Sequence, residues 1–176
     1  MGAPAATMAV DTRQQFHALF EHHRKIVFKV ANTYSRHPED RADLAQEIAA
    51  QLWRAFPGYD PDRSFSTWMY RIALNVAISF VRGRRRDRQT EPLDDDHVEV
   101  AGDMGVAYET DERVRALDRF ITRLEPLNRA LLLLYLEERC YREIADILGI
   151  SETNVATKIS RLKQRIRQDM APTASN

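Results

Sequence analysis

The stretch YREIADILGISETNVATKISRLKQRIR, Tyr141 to Arg167, decides the fold of the second half of the chain. Apolar residues recur at helical spacing between Ile144 and Leu148, and Gly149 can adopt the left-handed conformation that ends a helix. Ser151 is a natural N-cap for a second helix, and Glu152 suits the positive end of that helix dipole. Two helices joined by so short a turn predict a helix-turn-helix.

The second helix of this motif has three distinct faces. Apolar residues at spacings of four, three and four form one stripe: Val155, Ile159, Leu162 and Ile166. Small or uncharged polar residues lie opposite: Thr153, Ala156, Thr157, Ser160 and Gln164. Cations line both flanks: Lys158, Arg161 and Arg165 on one side, Lys163 and Arg167 on the other. A helix in a major groove needs such polar side chains toward the bases and cations near the phosphates. We therefore predict duplex DNA contacts from Thr153, Asn154, Thr157, Lys158, Ser160, Arg161 and Arg165.

Composition limits the classes of protein that the chain can be. It has 176 residues, 44% of them hydrophobic, which is enough for one domain or two small ones. Cys140 is the single cysteine, which excludes a disulfide framework and a cysteine-based zinc site. The start of the chain lacks a secretory signal, and the apolar run from Ala130 to Leu136 is too short to cross a membrane. We expect a soluble, cytoplasmic protein without membrane insertion.

The net charge of zero conceals a segregation of charge along the chain. Residues 1–86 carry +5 and residues 113–176 carry +4, whereas residues 87–112 contain ten acidic residues against one arginine. Two basic blocks around an acidic connector predict two small helical domains and a flexible linker, an all-α fold. The predicted limits are a disordered tail (1–12), a first domain (13–86), the linker (87–112), a second domain (113–170) and a C-terminal tail (171–176).

Three helices are predicted in the first domain. Apolar periodicity favours one across Arg13 to Tyr34, a second capped by Asp40, and a third that begins at Ser64 or Ser66. The third mixes aromatic, amide and cationic side chains, a combination typical of single-stranded DNA binding: Trp68, Tyr70, Phe80, Asn75, Arg71, Arg82, Arg84 and Arg85. Core packing is the alternative role for Trp68 and Phe80, and a solvated helix end is the alternative for the arginine cluster.

The second predicted helix carries the opposite charge. Asp43, Gln46 and Glu47 lie on or near one exposed face, and no basic residue occurs between Ala42 and Arg54. An acidic, glutamine-bearing face inside a basic domain suits a protein partner better than DNA.

These motifs together resemble a known family. DRADLAQEIAAQLWRAFPGYDPDRSFSTWMYRIALNVAISFVRGRRR resembles region two of the extracytoplasmic-function sigma factors of the sigma-70 family, and Leu117 to Arg167 resembles their region four. The resemblance covers nearly the whole chain apart from the tails and the linker. It implies a region two helical bundle and a region four helix-turn-helix.

The resemblance also implies partners. Asp43, Gln46, Glu47 and Arg54 would contact core RNA polymerase at the clamp helices of the largest subunit, with the flap as a further polymerase contact. The loop from Tyr59 to Phe65, including Arg63 and Ser64, would receive a base flipped from the minus-ten element of promoter DNA, and Asn75 would contact the same element. Thr157, Ser160 and Arg161 would read the minus-thirty-five element. An anti-sigma factor or another regulator is a further expected partner.

Two other classes of protein explain less of the sequence. A free-standing helix-turn-helix regulator would explain Tyr141 to Arg167 but neither the acidic helix nor the aromatic one. A DNA-acting enzyme would need carboxylates in a cleft or a nucleophile beside a base. Asp94, Asp95 and Asp96 are adjacent but lie in the predicted linker, and His17, His22 and His23 lack the company of metal-ligating cysteines. We expect neither catalytic residues nor a metal or cofactor site.

Overall fold

A computed structural model describes residues 5–90 and 112–170, and these residues form eight α-helices and one short 3-10 helix. The first four helices are α1 (Ala5–His23), α2 (Lys25–Tyr34), α3 (Pro38–Ala55) and α4 (Phe65–Thr90), with the 3-10 helix at Phe56–Gly58 after α3. The other four are α5 (Glu112–Arg123), α6 (Pro126–Leu136), α7 (Tyr141–Leu148) and α8 (Glu152–Asp169). The predicted all-α fold with two domains is confirmed.

The chain divides into two compact units, residues 1–77 and 78–176. The division falls within α4, and the domain limits predicted from charge remain predictions. Most of the predicted linker, including Asp94, Asp95 and Asp96, lies outside the described residues.

Three helix boundaries differ from the sequence predictions. Helix α1 begins at Ala5, within the predicted disordered tail, where AATMAV has good intrinsic helix propensity. The predicted single helix from Arg13 to Tyr34 is interrupted at Arg24, next to a hydrogen bond between the His23 ring Nδ1 and the Leu19 carbonyl at 3.0 Å. Helix α4 continues to Thr90, beyond the predicted end at Arg86.

The start of α3 also differs from the prediction. Pro38 occupies its first turn after His37, and Asp40 lies within that turn rather than at the cap. Proline is well suited to this position because the first helical N–H groups have no partner inside the helix. The carboxylates of Glu39 and Asp40 favour the positive end of the helix dipole.

The core of the first unit forms between α2, α3 and the first half of α4. Its fully buried side chains recur at helical spacing: Val30 and Ala31 from α2, Leu44, Ile48 and Leu52 from α3, and Met69, Tyr70, Ala73 and Leu74 from α4. Burial of the apolar face of α3 leaves the polar face of this helix exposed. The packing thus fixes which residues of α3 and α4 can meet a partner.

In the second unit, α8 packs against α6 and α7. Gly149 ends α7 with φ of 68°, and the Ser151 hydroxyl accepts a hydrogen bond from the Asn154 N–H at 3.1 Å. Both capping residues of the predicted helix-turn-helix are therefore confirmed. Val155, Ile159 and Leu162 are buried, so the opposite face of α8 points to solvent.

A buried arginine joins α5 to α6. The Arg129 Nε donates to the Leu124 carbonyl at 3.0 Å, and its Nη2 donates to the Thr122 carbonyl. These carbonyls belong to the C-terminal end of α5, where no further helical turn supplies donors. Arg129 therefore caps α5 from within the second unit.

Candidate nucleic-acid and polymerase interfaces

Helix α8 presents the predicted recognition face to solvent. Six of the seven predicted contact residues are exposed: Thr153, Asn154, Thr157, Ser160, Arg161 and Arg165. Lys158 is half-buried. The Thr157 hydroxyl donates to the Thr153 carbonyl at 3.0 Å, which fixes its rotamer. The arrangement of a polar face between cationic flanks fits the major groove of a DNA duplex.

Two cations on the flanks of α8 lie against aromatic rings. The Lys163 ammonium is 4.5 Å from the centroid of the Tyr135 ring, which belongs to α6. The Arg165 guanidinium is 5.7 Å from the centroid of Phe120, which belongs to α5 and is buried. Cation–π contacts of this length are attractive. Sequence analysis missed both pairings because neither ring is near its cation in the chain.

Four aromatic residues cluster at the loop between α3 and α4. Tyr59 lies 5.0 Å from Trp68 and 5.3 Å from Phe65, and Phe65 lies 5.2 Å from Trp68, all between ring centroids. Phe56 stacks on Tyr59 at 5.8 Å. The loop from Tyr59 to Phe65, predicted to receive a flipped base, thus begins on an aromatic platform.

Hydrogen bonds close this loop on itself. The Tyr59 hydroxyl donates to the Arg63 carbonyl at 2.6 Å, and the Asp62 N–H donates to the Asp60 carboxylate at 3.0 Å. The Arg63 guanidinium lies 3.6 Å from the Asp60 carboxylate. Burial, followed by the charge of Asp60, raises the pKa of the Tyr59 phenol, so the phenol stays protonated and able to donate.

Not every aromatic residue predicted to meet DNA reaches the surface. Phe65 is only 5% exposed, beneath Tyr59 and Trp68, so it supports the platform rather than offering a stacking face. Trp68 and Tyr59 are half-buried and Ser64 is exposed. Any stacking on an unpaired base therefore falls to Tyr59 and Trp68.

The outer face of α4 carries the remaining predicted DNA contacts. Trp68, Arg71 and Asn75 follow at spacings of three and four, which places them on one side of the helix, and Arg71 and Asn75 are exposed. Arg82 and Arg85 are exposed further along the same helix. The Arg84 guanidinium lies 4.8 Å from the Phe80 ring centroid, a cation–π contact between two residues of α4.

The predicted polymerase-binding residues lie together on the exposed side of α3. Asp43, Gln46, Glu47 and Arg54 are all exposed. The Arg54 Nη2 donates to the Glu47 carboxylate at 2.9 Å, which links two residues about two helical turns apart on this polar face. An ion pair so exposed contributes little to stability. Its residues are therefore of more interest as part of a surface that a partner could recognise.

Trp53 extends this face and was missed in the sequence analysis. Gln46, Ala50 and Trp53 follow at spacings of four and three, and the Trp53 side chain is 43% exposed. Its ring meets Phe16 of α1 edge to face, with 5.1 Å between the centroids. A groove of about 900 Å³ runs beside it, between α1 and the loop that follows α3. The helical spacing could have indicated Trp53, since it lies about two helical turns beyond Gln46 on the same side of α3.

Of the three histidine residues considered as metal ligands, His22 and His23 contact other rings, whereas His17 is exposed. The His23 ring lies 5.3 Å from Phe65 and 4.8 Å from His22. Within residues 5–90 and 112–170, no group of three His, Cys, Asp or Glu side chains is placed to hold a metal ion. In the same part of the chain, no helix is long and apolar enough to cross a membrane.

The fold and these surfaces define a DNA-binding protein of the helix-turn-helix class, with a second helical unit attached. The sequence patterns described as Sigma-70 region 2 and Sigma-70, region 4 match residues 19–87 and 114–166. The chain belongs to the sigma-70 family, in its extracytoplasmic-function group.

Individual relatives agree with this assignment. The ECF RNA polymerase sigma factor SigE of Mycolicibacterium smegmatis is 31% identical over 160 residues, which cover 89% of this chain and 62% of the relative. SigW of Bacillus subtilis is 28% identical over 144 residues, 73% of this chain and 74% of the relative. The chain thus spans less than two thirds of the length of the first of these relatives.

Two solved structures share the fold. CnrH, in complex with the cytosolic domain of CnrY, matches with a TM-score of 0.65 at 20% identity over 92% of this chain and 91% of that one. The sigma factor RpoE of Bartonella quintana, in complex with the anti-sigma factor NepR, matches with a TM-score of 0.64 at 17% identity, over 93% and 98% of the two chains.

Proposed function

We propose that the protein is an alternative sigma factor that binds core RNA polymerase and directs it to promoters, where it helps to open the DNA. Helix α8 reads the minus-thirty-five element, and the loop from Tyr59 to Phe65 binds the minus-ten element together with α4. The protein has no catalytic residue of its own in this role, and its place of action is the bacterial cytoplasm.

One observation carries the proposal. The exposed side of α3 joins Asp43, Gln46 and Glu47 in an acidic, glutamine-bearing surface within a basic unit. A surface of that sign would repel DNA, whereas it suits a basic partner protein. A free-standing regulator needs the helix-turn-helix but has no use for this face. We therefore assign the face to the clamp helices of the largest polymerase subunit, with the polymerase flap as a further contact.

A regulator of the anti-sigma type is a further proposed partner. One of the solved structures that share the fold is a sigma factor in complex with an anti-sigma factor, NepR, and the other, CnrH, is in complex with the cytosolic domain of CnrY. A sigma factor that exposes both its polymerase face and its DNA faces would need to be restrained until required.

The test combines polymerase binding with transcription. Purified protein and core polymerase should co-elute, and the complex should give run-off transcripts from promoters found by mapping the start sites that depend on this protein. The double variant Asp43→Asn, Gln46→Ala should lose co-elution while it still folds and still binds duplex DNA. Asp146→Asn, which removes an exposed carboxylate from α7, is the matched control and should bind polymerase normally.

One pattern of results would reject the proposal in favour of a free-standing regulator. In that pattern the protein binds duplex DNA tightly, never co-elutes with core polymerase, and supports no transcription from any mapped start site.

A further inference from the structure

On one flank of α8, the second helix of the helix-turn-helix, Lys163 contacts the ring of Tyr135. Lys163 sits one turn after Ile159 on α8, and Tyr135 lies near the end of α6. The ammonium is 4.5 Å from the ring centroid and faces solvent. The neighbouring Tyr135 side chain is the leading cause of a raised pKa of Lys163.

A second contact of the same kind exists on the opposite flank. Arg165 lies over Phe120 of α5. At about 100° per residue, Lys163 and Arg165 project on the two sides of the buried stripe of Val155, Ile159 and Leu162. Each flank of α8 therefore has one cation held by a ring from a supporting helix.

Holding a lysine in place changes what it can contribute to DNA binding. An unrestrained lysine side chain on a protein surface loses much rotamer freedom when its ammonium binds a phosphate. A ring that already confines the stem and ammonium removes part of that loss before DNA arrives. The ammonium remains exposed, so it can still reach a phosphate of a duplex that lies against the polar face of α8.

We propose that Tyr135 is a positioning residue for DNA binding, whose ring holds the Lys163 ammonium on the flank of α8 for contact with a backbone phosphate. The inference rests on the proposed DNA binding by α8 and deepens it. It adds Lys163 to the DNA-contacting residues and gives a role to a tyrosine that would not itself touch DNA.

The first arm of the test measures the salt dependence of DNA affinity. Full-length protein is titrated into a fluorescent mixed-sequence duplex, which suffices because phosphate contacts do not depend on sequence. Lys163→Gln should lower the slope of log affinity against log salt by about 0.9, the value for one lost phosphate contact. Across about a fourfold rise in salt, the variant should lose about three- to fourfold less affinity than the wild type. An unchanged slope would overturn the proposal.

The second arm tests whether Tyr135 acts through Lys163. Tyr135→Leu should weaken binding and reduce the salt slope in the wild type, but should have little further effect in the Lys163→Gln background. Tyr135→Phe keeps the ring and should stay close to the wild type. Additive losses in the double variant, or a Phe variant as weak as the Leu variant, would each contradict the role of the ring.

Arg165 supplies the matched control, because its ring partner is Phe120. The losses of DNA affinity caused by Arg165→Gln and Tyr135→Leu should be additive, since the cation–π partner of Arg165 is Phe120 and that of Lys163 is Tyr135. If Tyr135→Leu unfolds the protein in thermal melts, Tyr135→Met, which also removes the ring, takes its place in the same double-variant comparison, and Lys163→Arg gives a separate test of the contact. Arginine keeps the charge and stacks on the same ring, so its slope should match the wild type, and a slope as low as that of Lys163→Gln would refute the positioning.

The outcomes also separate this inference from the proposed function. Binding to the mixed-sequence duplex needs no polymerase, so a change of slope can be observed even if co-elution fails. Conversely, run-off transcription can succeed while Lys163→Gln leaves the slope unchanged. Absence of measurable duplex binding at the lowest salt would overturn the inference, because Lys163 would then have no phosphate to contact.

Discussion

Trp53 offers the sharpest test of the proposed polymerase-binding face of α3, because its side chain combines large area with exposure. A tryptophan side chain has up to about 250 Å² of surface, of which 43% is exposed, leaving about 100 Å² for a partner to cover. At about 25 cal/mol per Å², this area is worth about 2.5 kcal/mol, or roughly 70-fold in Kd. Exposed tryptophan residues at the centre of an interface commonly contribute at this level.

We therefore expect Trp53→Ala to weaken binding to core polymerase by about 70-fold, measured by titrating labelled protein with core enzyme. Phe28 is the matched control, because it is a large apolar residue of the same unit, 56% exposed, but lies on α2 beside Lys25 and Lys29. Phe28→Ala should change the Kd by less than about threefold.

The Trp53 ring also meets Phe16, so its loss could loosen α1 rather than the interface. Denaturant unfolding of Trp53→Ala separates the two effects. A variant that is folded and stable but binds polymerase like the wild type would refute the reasoning. Equal losses for Trp53→Ala and Phe28→Ala would also refute it, since they would point to a general effect of apolar surface.

Three further variants test the other surfaces. Arg161→Ala should cost about 1 to 3 kcal/mol of affinity on promoters with an intact upstream element and less on promoters where that element is scrambled, while polymerase binding is unchanged. Asn75→Ala should reduce permanganate reactivity of the opened strands but leave the closed complex intact, because its partner base is exposed only after unpairing. Arg129→Met should destabilise the second unit by about 2 to 4 kcal/mol in denaturant unfolding, since two carbonyls at the end of α5 lose their donor. The exposed Arg142→Met is its control and should stay within about 0.5 kcal/mol of the wild type.

The features that sequence predicted well are those set by neighbours in the chain. Gly149 and Ser151 were recognised as caps because their roles depend on φ and on an N–H three residues away. The apolar spacing predicts the buried residues Leu44, Ile48 and Leu52 of α3 and Val155, Ile159 and Leu162 of α8, whereas Ile166, the last residue of the predicted α8 stripe, is half-buried. Exposure of Asp43 and Glu47 follows from the same periodicity.

The errors arise where a contact distant in sequence or a local competition decides the outcome. Periodicity continues through Arg24, so it could not reveal the interruption there, beside a His23 ring that bonds the Leu19 carbonyl. The pairing of Arg129 with the end of α5 depends on how the α5–α6 turn closes. Hydropathy alone treats Arg129 as a surface residue, although it is 9% exposed.

The aromatic residues show most clearly why composition cannot assign function at single positions. The sequence groups Phe65, Trp68 and Tyr70 as one aromatic run on α4, yet the packing gives them three different exposures: Tyr70 is fully buried, Phe65 lies under the loop, and Trp68 is half-buried at its edge. The same ring chemistry therefore supplies core, support and candidate stacking surface within six residues. It follows that substitutions of Tyr70 or Phe65 would report on folding, and that only Tyr59 and Trp68 can separate a stacking role in strand opening from a structural one.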